Sequence, residues 1–148
     1  MTQREIENQW AVAKADFSER KGAIKRQFAI DSNENEKKRV QCLEQYNKTI
    51  GELVAEKDAR IDQLSMFKRN GIANYAVEYV ACRRRINEIN DKLRGLHFQK
   101  EADHAKIATE KRDIRATFEE NCRVLNMESQ NRYAELFSML TVTTKPEE

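Results

Sequence analysis

A chain of 148 residues that is 35% charged, with four glycines and one proline, has little turn-forming material and reads as helical. Its 27 basic and 25 acidic residues leave a net charge of +2, so no global field draws it toward nucleic acid or an anionic membrane. No window approaches the roughly 20 apolar residues of a membrane span. Met1 to Glu7 lacks the apolar segment of a signal peptide, and Cys42, Cys82 and Cys122 are too few and too far apart for a disulfide framework. A reducing, cytoplasmic setting without membrane insertion is expected.

The first amphipathic run is Ile6, Trp10, Ala13, Phe17, Ile24 and Phe28, whose spacings of three, four or seven make a coiled-coil seam. Asp31 to Asn35 follows, a stretch of side chains that compete for backbone groups, and Asp31 with Glu34 resembles a capping box. A helix can restart here, although no glycine or proline enforces a break. The second run takes Val40, Leu43, Tyr46, Ile50, Leu53, Val54, Ile61, Leu64 and Phe67, and stops at Asn70-Gly71, the strongest turn signal in the chain. The third begins at Ile72 and continues to Leu140 with a single glycine, Gly95. One helical coiled-coil domain is therefore expected over 1–142, with arms of about 3–69 and 72–140 and a polar tail at 143–148.

Asn70-Gly71 lies near the midpoint, and folding the chain there sets the apolar runs against each other. Phe67 then meets Tyr75, Leu64 meets Val77, Leu43 meets Phe98, Phe28 meets Ile114, Ile24 meets Phe118, and Trp10 meets Tyr133. Gly95 falls opposite Tyr46 as room for its ring, and Arg83, Arg84 and Arg85 fall opposite Glu56 and Asp58. Burial of each Leu, Ile or Phe stabilises by about 1.5–3 kcal/mol, against tenths for a surface ion pair, so the apolar register decides. The fold expected is an all-α, long antiparallel helical hairpin, a coiled coil with its turn at Asn70-Gly71. The alternative is a three- or four-helix bundle with a break near 31–35, where 31–39 face the apolar-poor 102–110.

No motif supports catalysis or a cofactor. Glu101-Ala-Asp-His104 has the Glu-x-x-His spacing of di-iron bundles but lacks a second copy, and no phosphate-cradling glycine loop exists. Arg83 to Arg85 point about 100° apart and cannot form one flat phosphate-binding patch. The segment Ile72 to Cys82 is instead apolar around more of the helix than one partner covers. With Phe67 it places Ile72, Tyr75 and Tyr79 at the turn end, and Trp10, Phe17, Tyr133 and Phe137 gather near the termini. These eight residues are the candidate protein interface. In length and mid-chain turn the chain resembles, in shape alone, the stalk proteins of flagellar and type III export ATPases. The functional expectation is a non-enzymatic protein of association: a scaffold, stalk, adaptor or assembly factor of a secretion or viral particle, binding a protein partner or copies of itself. The rival classes are a nucleic-acid-associated coiled coil and a metal-binding helical-bundle enzyme.

Overall fold

A computed structural model describes residues 1–144, with side chains through Val142. Two helices make up almost all of it, α1 over Gln3–Arg69 and α2 over Val77–Thr144. They pack against each other as an all-α helical hairpin without a strand among the described residues.

Each helix end follows from local chemistry. α1 starts on a capping box: the Glu5 amide donates to Thr2 Oγ1 at 3.2 Å and the Thr2 amide donates to Glu5 Oε2 at 3.0 Å. It ends on a Schellman motif. The Ile72 amide bonds the Phe67 carbonyl at 2.9 Å, the Gly71 amide bonds the Lys68 carbonyl at 3.2 Å, and Gly71 takes the left-handed φ of 72° that the motif requires. α2 does not resume at Ile72. Ala73 to Ala76 first form a turn closed by the Ala76 amide on the Ala73 carbonyl at 3.0 Å, and the helix starts at Val77.

α1 runs unbroken through 31–35, so the bundle alternative is excluded. Asp31 caps nothing, and its carboxylate accepts from Gln27 one turn earlier, at 2.9 Å. With no glycine or proline in that stretch, weak propensity alone does not open the helix. At the other end of the chain Thr143 and Thr144 continue α2, whereas the expected tail from Lys145 to Glu148 lies outside the described residues.

The hairpin divides into two compact units. Unit 1 joins Met1–Asn35 with the chain from Glu110 onward. Its core is Ile6, Leu125 and Leu136, each 5% exposed or less, with Phe28 stacked on Phe118 at 4.3 Å between ring centroids. Unit 2 is Glu36–Thr109, centred on Tyr79, Cys82 and Ile89. Cys82 donates its S–H to the Arg60 carbonyl at 3.2 Å. Covered positions on α2 of unit 2 alternate by three and four, the heptad spacing, as in 82, 86, 89, 93 and 96. In unit 1 they step by four through 110, 114, 118 and 122, a stutter that locally unwinds a left-handed coil.

Candidate association surfaces

In unit 1, Trp10 and Phe17 stand two turns apart on α1, and Tyr133 of α2 enters between them. Trp10 and Tyr133 stack at 5.0 Å, and Phe17 meets Tyr133 edge to face at 5.9 Å. Such pairs contribute about 0.5–1.5 kcal/mol each beyond the area they bury. Polar groups fix the rim: Arg20 lies over the Phe17 ring at 5.6 Å and bonds Glu128 at 2.6 Å, while Arg132 bonds Gln9 at 3.0 Å. All three rings are half-buried, so they close the seam and still present an edge. Phe137, one turn beyond Tyr133, is 62% exposed. It borders a shallow cavity of about 390 Å³ with Trp10, Ile6 and Leu140. A second hollow of about 490 Å³ opens beside Phe17 and Val12.

In unit 2 the four expected residues separate. Phe67 and Ile72 are half-buried around the Schellman motif, and Tyr79 is buried beneath the Arg83 guanidinium, 5.3 Å from its ring. Tyr75, in the turn before α2, is 84% exposed beside the exposed Val77. Of the arginine triplet only Arg85 reaches across the seam, clasping Glu56 with both carboxylate oxygens at 2.7 and 2.8 Å. That fork holds Glu56 below the usual carboxylate range and raises Arg85. Among the described residues no group of three metal-binding side chains assembles, and Glu101 stands exposed on the surface of α2.

Two features escape a register drawn from Asn70-Gly71. Tyr46 donates its hydroxyl to Asp103, which also accepts from Gln99 at 3.0 Å, and a Cβ on Gly95 would meet nothing within 4 Å. Gly95 therefore makes no room for Tyr46. The apolar residues expected inside the seam also divide: Val40, Val54 and Ile61 remain 38%, 39% and 42% exposed, and Phe98 is 74% exposed instead of meeting Leu43. Some seam contacts, such as Phe28 on Phe118, lie a turn further along α2 than that register, whereas Arg85 on Glu56 keeps it. No protein-family model, curated protein sequence or solved structure matches the chain at a significant level.

Proposed function

We propose that this chain is a non-enzymatic coiled-coil protein of association, a scaffold, stalk, adaptor or assembly factor that works in the cytoplasm and engages protein partners through apolar surface beside its two-helix seam. The observation that carries the reading is uncovered surface. The accessible area is 11,235 Å², against about 7,900 Å² for a compact chain of this mass. Part of the surplus is large apolar side chains standing clear of the seam, with Tyr75 at 84%, Phe137 at 62% and Val12 at 69% exposure. Where such side chains gather, as Phe137 does with Trp10 and Leu140 around the shallow cavity, apolar surface marks protein contacts.

The test is co-purification of the full chain followed by mass spectrometry and nucleic-acid staining, beside the double variant Tyr75→Ala, Phe137→Ala. A stoichiometric protein lost in the variant, with helicity unchanged, is the expected result. Bound nucleic acid as the sole stoichiometric component, retained by the variant, would point instead to the exposed cations Lys68, Arg69 and Arg84 and overturn the reading.

A further inference from the structure

Asn70 is the only asparagine in the chain that a glycine follows. Every other asparagine except Asn74 lies within α1 or α2, where the amide of the next residue is tied into the helix ladder and helical backbone angles hold the side-chain carbonyl away from it. Asn74 precedes Tyr75, whose Cβ crowds the nitrogen beside it. Asn70 differs in each respect. It stands between the last residue of α1 and the left-handed Gly71, and its carboxamide is exposed and makes no hydrogen bond among the described residues. Gly71 presents its nitrogen with no Cβ beside it, in open space where such an atom would meet nothing within 4 Å. That nitrogen is held by its 3.2 Å bond to the Lys68 carbonyl, the longest of the backbone bonds that close the turn.

We infer that Asn70 is a site of spontaneous covalent change, losing its side-chain amide to the Gly71 nitrogen through a cyclic imide, and that the Schellman turn sets the pace. The Gly71 nitrogen gives its proton to hydroxide and bonds to the side-chain carbonyl carbon of Asn70. The bond from that carbon to Nδ2 breaks, and the amide leaves as ammonia with a proton from water. No oxidant or reductant takes part. Water then opens the five-membered imide on either side: attack at the side-chain carbonyl leaves aspartate in an ordinary chain, and attack at the main-chain carbonyl leaves isoaspartate, with the chain running through the former side chain.

The fold gates the first step. While the Gly71 amide donates to Lys68, its nitrogen cannot turn onto the Asn70 side chain, so the last turn of α1 must open before the bond forms. The product then acts on the turn. Either form sets a carboxylate where the last carbonyls of α1 already carry partial negative charge. Isoaspartate also lengthens the chain by one carbon between the Gly71 and Ile72 amides and the Lys68 and Phe67 carbonyls that they bond. The turn that carries Tyr75 thereby loses its latch in one direction only. This chemistry needs no partner and stands apart from the association reading.

The test is incubation of the full chain, folded and in concentrated urea, at neutral and at mildly alkaline pH, followed by peptide mapping with electron-transfer fragmentation to separate aspartate from isoaspartate. The folded protein is expected to gather both products at Asn70, faster at the higher pH and before any other asparagine changes. In urea the same site should react at least roughly fivefold faster, the factor that one ordinary backbone hydrogen bond represents as an equilibrium constant. Asn70→Gln, which would need a slower six-membered ring, should show neither product there at unchanged helicity. Hydrogen exchange at the Ile72 amide should lose protection in aged wild type and keep it in aged Asn70→Gln. An Asn70 that stays intact in the folded chain, aspartate without isoaspartate, equal rates with and without urea, or an Ile72 amide as protected after ageing as before would each overturn the inference.

Discussion

Tyr46 on α1 donates its hydroxyl to the carboxylate of Asp103 on α2, joining the two helices of unit 2 through their side chains. The bond, burial and the nearby negative charge push the tyrosine up to about 12, and the same bond holds Asp103 below its ordinary range. A raised acid of this kind contributes its full stabilisation below pH 10.0, the ordinary tyrosine value, and loses it as pH climbs to about 12. The aspartate acts in the opposite direction: its contribution is whole above the ordinary carboxylate range and falls away as pH drops through it. Phenolate absorbance should show one of the four tyrosines ionising near pH 12, a step missing from Tyr46→Phe. Four tyrosines titrating together near pH 10.0 would refute the contact.

Gly71 and Gly95 should respond to alanine with opposite signs. Gly71 sits at φ 72°, where a Cβ is strained, so Gly71→Ala should destabilise by about 1 kcal/mol or more. Gly95 is helical and open, so Gly95→Ala should stabilise by about 0.5–1 kcal/mol. Urea unfolding followed by circular dichroism measures both. A loss of stability in Gly95→Ala would mean that a side chain does occupy that space.

Ile89 and Phe98 discriminate the observed register from one drawn directly from Asn70-Gly71. Ile89 is 0% exposed, and Ile89→Ala should cost about 2–5 kcal/mol. Phe98 is 74% exposed, and Phe98→Ala should stay within about 0.5 kcal/mol. Were Phe98 packed on Leu43 it would cost as much as the isoleucine. The same unfolding experiment separates the two cases.

Leu136 provides the corresponding measurement in unit 1. Fully buried, it should lose about 2–5 kcal/mol on truncation to alanine, and Trp10 fluorescence reports the transition because Trp10 stacks on Tyr133 in that unit. Unchanged stability in Leu136→Ala would place the seam elsewhere on α2.

The hairpin was legible because its evidence is periodic. Apolar spacing reached the limits of α1, and Asn70-Gly71 with Lys68 and Arg69 before it carried the chemistry of a helix C-terminus, which the Schellman motif realises. What spacing does not encode is how much chain a turn consumes. Ile72 to Ala76 look like a helix start, since alanines and a tyrosine continue the pattern, yet they form the turn. Phe28 meets Phe118, four positions past Ile114, and Arg20 meets Glu128, eight past Glu120, while Arg85 still meets Glu56. Trp10 still finds Tyr133, because neighbouring turns of one helix present the same face. Of the candidate interface, the ring cluster could be read from sequence, whereas the contrast between buried Tyr79 and exposed Tyr75 could not, since it depends on where α2 begins.

The three thiols differ in access, and the difference supplies a reporter already present in the chain. Cys42 and Cys122 are partly open, whereas Cys82 is 3% exposed with its sulfur on the Arg60 carbonyl. An alkylating reagent will therefore modify two cysteines at once and wait for the third until the helices of unit 2 part. In the regime where reclosing outruns the reagent, that delay is an opening equilibrium, measurable without a label or a denaturant.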